Sequence, residues 1–203
     1  IVLKHFDELV PDNLHTMKYR KGKTGGSTGD PMPYYCNEDV WGYVTANKIV
    51  KLGANNTRIY PTLVIKDTEL EKFYHQKKYT PLTMEKAVDW TKEVYTIMEN
   101  ANITVLRMGL HPSKGLITGE TLIAGPFHVS FGELVMTAIW KEKLIPISGN
   151  GKNTIIISVP PGELNSAIGY NASNKKMLQN NFKIVKFKTD LSLSRRDFYV
   201  DYC

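Results

Sequence analysis

Cysteine is scarce in this chain: Cys36 and Cys203 are its only two among 203 residues. They lie far apart in sequence, which excludes a disulfide framework and reads as incidental thiols in a reducing cytoplasm. Long apolar runs are missing as well. None approaches the roughly 18 residues that a membrane-spanning helix needs, so no membrane association is expected. The amino terminus has no signal-peptide pattern, and the glycosylation patterns at Asn55, Asn102 and Asn171 therefore read as chance matches. The histidines are too few and too scattered to place a second ligand at metal-site spacing, which argues against zinc. The chain starts at Ile1 rather than Met, and reads as processed, truncated or only partly represented.

What is present suits a soluble globular protein. Hydrophobic residues make up 42% and charged residues 23%, enough for one sizeable domain or two small ones with a real core. The net charge of +6 is uneven. From Lys141 to Cys203 there are ten Lys or Arg against five acids, so the last third carries +5 of it. Such asymmetry points to a polyanionic partner, with an ordinary solvated basic face as the alternative.

Residues 1–40 form a poorly defined segment. Ile1-Val2-Leu3 reads as a strand tail, Phe6 to Leu14 as a short helix interrupted by Pro11, and Lys18 to Asp30 as a Gly- and Ser-rich loop. Lys21-Gly-Lys-Thr24 has the end of a phosphate-binding loop, but Met17 stands where its first glycine should be, so that motif fails.

Periodicity sharpens after Asp39. Val40 to Leu52 predicts a helix closed by Gly53, and Thr57 to Ile65, with Pro61 in it, a strand ending in a loop. A short helix is expected over Glu69 to Tyr74. A long one should begin at the N-cap Thr83 and end at Asn102, followed by a buried strand from Ile103 to Met108. The order helix, strand, helix, strand marks a parallel sheet with crossover helices, hence an α/β fold over residues 41–146. Another helix is expected from Ser130 to Lys141. Gly149-Asn-Gly151 reads as a hinge into a basic module at 147–203, an α+β unit of β-α-α-β order. Its strands are Asn153 to Val159 and Phe182 to Lys188, and its helices Glu163 to Ile168 and Lys175 to Gln179.

Three motifs place a charged or ring side chain where an apolar run stops: Arg58-Ile-Tyr-Pro-Thr62, Val105-Leu-Arg-Met-Gly-Leu110 and Ala124-Gly-Pro-Phe-His128. Strand ends of this kind are where α/β proteins build their sites. Arg58 and Arg107 can hold a carboxylate or phosphate bidentately, or form structural ion pairs. Tyr60 can stack on a ligand or sit half-buried in the core. His128 can bind an anion or cap a turn. His111 shows no partner in the sequence.

With Arg58 to Glu71, Tyr79-Thr-Pro81, Arg107-Met-Gly-Leu-His-Pro112 and Ala124 to His128 in order and spacing, the stretch from Asn47 to Leu134 resembles the carboxyl-terminal part of the radical S-adenosylmethionine (SAM) core. The branch it looks like is that of bacterial proteins related to the Elongator catalytic subunit. The resemblance implies a partial (β/α) barrel, SAM and a 4Fe-4S cluster as cofactors, and Arg58, Tyr60, Arg107 and His128 around the cofactor. It implies an enzyme of tRNA modification. The cluster's Cys-x-x-x-Cys-x-x-Cys loop is missing, and two cysteines cannot supply its three ligands. This polypeptide alone is expected neither to bind the cluster nor to make a radical.

A second resemblance rests on Ala167-Ile-Gly-Tyr-Asn-Ala-Ser-Asn174 between two helices. From Asn153 to Lys188 the chain resembles a K-homology (KH) RNA-binding module, with Gly169 as the first glycine of its Gly-x-x-Gly loop. Ala172 replaces the second, and fits if its φ stays negative. The resemblance implies RNA contacts from Gly169, Tyr170, Asn171, Lys175, Lys176 and Lys186. Three readings follow: part of a radical-SAM RNA-modifying enzyme, a non-catalytic RNA-binding protein on an α/β scaffold, or an inactive truncated relative. Unpaired strand edges in a partial barrel would also favour self-association or pairing with a missing N-terminal half.

Overall fold

The structure is a computed structural model that describes residues 20–23, 33–36, 41–149 and 151–203. The strand tail and short helix expected before residue 15 lie outside the described residues. The chain divides into two compact units, Ile1–Val129 and Ser130–Cys203.

In the first unit, β1 (Arg20–Lys23) pairs antiparallel with β2 (Pro33–Cys36). This corrects the expectation of a loop across Lys18 to Asp30. A Lys-Gly-Lys sequence has little strand propensity of its own, and its pairing with the Tyr34-Tyr35 segment decides its conformation. Helix α1 (Trp41–Lys51) follows, then β3 (Asn56–Ile59), which stops before Pro61 because proline cannot donate to a ladder. The run resumes as β4 (Val64–Ile65).

The expected N-cap Thr83 operates, and Thr68 caps the shorter helix before it. Thr68 Oγ1 accepts from Glu71 N at 3.3 Å to start α2 (Glu69–His75), and Thr83 Oγ1 accepts from Lys86 N at 3.3 Å to start α3 (Met84–Asn100). The buried face of α3 includes Ala87, Thr91 and Met98. It leads to β5 (Thr104–Met108), parallel to β3, so the chain between them is a crossover as the element order predicts. Ala46, Met98 and Ile103 form a core, with Ile49, Val94, Ile97 and Val105 against it.

Helix α4 (Lys114–Thr118) and strand β6 (Leu122–Ala124), antiparallel to β4, had no expectation. At five and three residues they are too short to show a period. The strands of this unit lie as separate two-stranded sheets.

The second unit opens with α5 (Phe131–Leu144). Placed by sequence before a boundary at 146/147, this helix counts with the carboxyl-terminal unit. Its Trp140 and Leu144 share one buried cluster with Ile155, Ile157, Val159, Ala167, Leu178, Phe182 and Val185. Apolar burial, not the Gly149–Gly151 composition change, assigns it. Next come β7 (Thr154–Val159), α6 (Leu164–Ile168), α7 (Ser173–Leu178), β8 (Ile184–Thr189) and β9 (Tyr199–Tyr202). The β-α-α-β order is present. The sheet runs β8-β7-β9, with β7 parallel to β8 and antiparallel to β9. Charged residues around β9 hide it in the sequence, and pairing with β7 makes it a strand. No helix among the described residues is long and apolar enough to cross a membrane.

Trp140 is fully buried, and its indole Nε1 donates to Glu163 Oε2 at 2.6 Å. Burial pushes the Glu163 carboxyl above its ordinary pKa, and the indole hydrogen bond opposes that rise. A carboxyl raised on folding holds its proton more tightly in the native chain. Its contribution is therefore most favourable at acid pH and is lost as pH climbs above about 4.5. Glu163→Gln keeps an acceptor for the indole and removes the buried charge. It should raise the neutral-pH Tm by about 2 °C, a modest gain because solvent screens a half-exposed carboxylate. Thermal melts from pH 4 to 7 should show the gap to wild type closing toward acid; a constant gap would refute the assignment.

Candidate functional site

The first candidate site forms at the carboxyl ends of β3 and β5. Thr57 pairs with Val105, then the register shifts, and Arg58 pairs with Arg107 and Ile59 with Met108. Without that shift Leu106 would face Arg58. A bulge re-aims side chains in this way, here setting two exposed guanidinium residues opposite each other. Like charges directly across a ladder repel. Among the described residues no carboxylate lies within ion-pair distance of either arginine, so the structural ion pair that was the alternative reading is not found. Arg107 Nη1 lies 3.1 Å from His111 Nδ1, and His111 thus has the partner that its sequence context did not show. The arrangement offers a fork of N–H donors to a carboxylate or phosphate.

The backbone brings the three strand-end motifs together. Gly109 N donates to Ile59 O at 2.9 Å, which joins the Arg107 segment to the Arg58 segment. Val64 pairs with Ala124, and a Cβ built on Gly125 would fall 3.1 Å from Thr62 O, so the Gly-Pro-Phe-His segment lies against Thr62 and Leu63. Tyr60 follows β3 and is 45% exposed, which makes it a surface ring rather than a core one. His128 is half-buried in the segment that follows β6. Among the described residues the histidine hydrogen-bonded to the arginine pair is His111, not His128.

The second candidate site is the turn between α6 and α7. Gly169 has φ +86° and ψ 155°, Asn171 φ +51°, and Ala172 φ +57°. The negative φ that Ala172 would need to stand in for the second glycine of the loop is not met. Ala172 N donates back to Gly169 O at 2.8 Å, and that tight turn forces the left-handed conformation that glycine would take more easily. Asn171 is exposed at the tip, and Tyr170 is half-buried beside it. Lys175, half-buried, and Lys176, exposed, follow on α7. Lys186 is not brought to this loop. It pairs with Ile156 on the sheet face opposite to that of Ile155, Ile157 and Val185, which pack in the helix-covered core.

Two residues at this turn carried no expectation. Thr137 of α5 accepts from Tyr170 N at 2.8 Å through Oγ1, and its carbonyl accepts from Asn174 Nδ2 at 3.1 Å. Asn174 lies among Ser173, Lys175 and Lys176, where nothing marks it as buried, and nothing in the sequence marks Thr137, which lies 33 residues from Tyr170. Among the described residues no three His, Cys, Asp or Glu side chains group as a metal site.

Residues 54–141 match the family model described as the Radical_SAM C-terminal domain. This stretch is similar to a radical SAM carboxyl-terminal region, starting just before β3 and ending inside α5. No curated protein and no solved structure gave a match. The family implies SAM and a 4Fe-4S cluster. The chain's two cysteines do not fit a cluster held by three thiolates, so no step through it is assigned to these residues. Arg58 and Arg107, which have no acidic partner among the described residues, have the donor chemistry that a carboxylate such as that of SAM requires.

Proposed function

We propose that this chain is a portion of a radical-SAM-type protein acting in RNA modification, tRNA foremost, and that it holds SAM and RNA rather than generating a radical. One observation carries the reading: a register shift sets Arg58 beside Arg107 at parallel strand ends, with no acid within ion-pair distance of them among the described residues. The pair would take the SAM carboxylate bidentately, with His111 orienting Arg107. The exposed Tyr60 ring offers a stacking face, and His128 lies on the segment packed against Thr62 and Leu63. When bound, SAM supplies the reactive group; these side chains bind and orient it.

In the second unit, RNA phosphates would approach the backbone of Gly169, Tyr170 and Asn171, with Lys175 and Lys176 neutralising charge and Lys186 adding to the basic surface. A non-catalytic RNA-binding role is the second reading, favoured by the cysteine count.

Calorimetry with SAM should give a measurable heat that Arg58→Ala and Arg107→Ala each weaken by roughly tenfold or more, the range for a charge-assisted hydrogen bond. No heat from the wild-type chain would remove SAM from the assignment. RNA affinity should fall steeply between about 50 and 200 mM salt, and Lys175→Ala should reduce the log–log slope by about 1. A flat salt response would remove RNA.

A further inference from the structure

The turn at Gly169 has left-handed or glycine-type backbone at three of its four residues, Gly169, Asn171 and Ala172. A segment so strained holds one shape only when its surroundings fix it. The fixing element lies in α5. On the reading that this turn grips RNA, we infer that Thr137 is the positioning residue that sets it in its binding shape.

Thr137 ties both sides of the turn at once. Its hydroxyl accepts from Tyr170 N at 2.8 Å, before the two left-handed residues. Its carbonyl accepts from Asn174 Nδ2 at 3.1 Å, after them. Asn174 is 1% exposed, and the same Nδ2 reaches Ser166 O at 3.5 Å on α6. Three helices are thereby joined through one buried amide. Gly169 fits so closely against this amide that an added Cβ would lie 3.0 Å from Asn174 Cγ. Asn171 is left exposed at the tip, with Lys175 and Lys176 just beyond it. A loop already held in shape loses less conformational freedom on binding, so losing the tie should weaken affinity without removing a charge. The clamp comes from within residues 54–141, whereas the turn lies outside that match. The radical-SAM-like stretch therefore supplies the residue that shapes the RNA loop.

The test uses the whole chain and an unmodified tRNA transcript, with amide hydrogen exchange of Tyr170 as a second readout. Thr137→Val removes only the hydroxyl acceptor and is close in shape; Thr137→Ser restores it. Valine should speed Tyr170 exchange and weaken tRNA binding by about tenfold with an unchanged salt slope, whereas serine should match wild type in both. Unchanged Tyr170 exchange in the valine variant would overturn the tie. Faster exchange with wild-type affinity would overturn the positioning role and leave the RNA reading standing. If wild type shows no salt-dependent tRNA binding, the RNA reading falls and this inference with it.

Discussion

Gly169→Ala should be the most damaging single-methyl substitution in the carboxyl-terminal unit, destabilising it by about 4 kcal/mol. Two effects add. With φ +86° and ψ 155° the residue occupies a region that is essentially reserved for glycine, which costs about 1–3 kcal/mol in any other residue. The added Cβ would also lie 2.8 Å from Ser173 Oγ and 2.9 Å from Asn174 N. The second of these is backbone at the start of α7 and cannot swing away, so overpacking adds roughly 1–3 kcal/mol.

Ala172→Gly makes the opposite case three residues on. There a left-handed alanine costs about 1–2 kcal/mol, partly offset by the extra freedom glycine has in the unfolded chain. A net gain of roughly 0.5 kcal/mol is expected. Gly162→Ala is the control, since nothing lies within 4 Å of its Cβ and its φ is not positive. Chemical denaturation should rank the three variants from least to most stable as Gly169→Ala, Gly162→Ala and Ala172→Gly. Equal stability of Gly169→Ala and Gly162→Ala would show that the turn does not have this shape.

Gly125→Ala should have the second-largest effect, about 3 kcal/mol, on the other unit. Its φ of +114° disfavours any side chain. The Cβ would meet Thr62 O at 3.1 Å and Leu63 Cα at 3.2 Å, both backbone. Relief requires the Gly-Pro-Phe-His segment to move off Thr62 and Leu63, against the pairing of Val64 with Ala124. The Tm should fall by roughly 10 °C, and the SAM heat should drop with it, because the same contact anchors the loop that follows Tyr60. An unchanged melt would mean that these two motifs are not in contact.

Local signals were legible because local physics writes them. Thr83 advertises a helix start through a hydroxyl that must accept a nearby N–H, and the apolar spacing of Ala87, Thr91 and Met98 shows one face of α3. Pro61 forecasts the end of β3. The short elements α4, β6 and β9 were not legible, since three to five residues carry too little pattern to separate a strand or helix turn from a loop. Strand β1 was misread for a related reason: its basic, glycine-containing sequence becomes a strand only through its neighbour.

At the candidate sites the division is similar. Arg58, Tyr60 and Arg107 could be picked out as polar or ring residues at the ends of apolar runs. Whether the arginines had acidic partners could not, because an ion pair can also join residues distant in sequence. Their direct opposition depends on a one-residue register shift at Leu106, which no composition records.

By itself the amino-acid order determined the longer helices α1, α3 and α5, where the positive charge gathers, and that two cysteines cannot hold a three-thiolate cluster. These follow from covalent neighbours and from counting. Tertiary structure alone decided that α5 joins the carboxyl-terminal unit, that Arg107 rather than Leu106 faces Arg58, and that Thr137 ties the Gly169 turn. Each of those depends on which distant surfaces bury each other, and burial is a property of the folded chain rather than of any window along it.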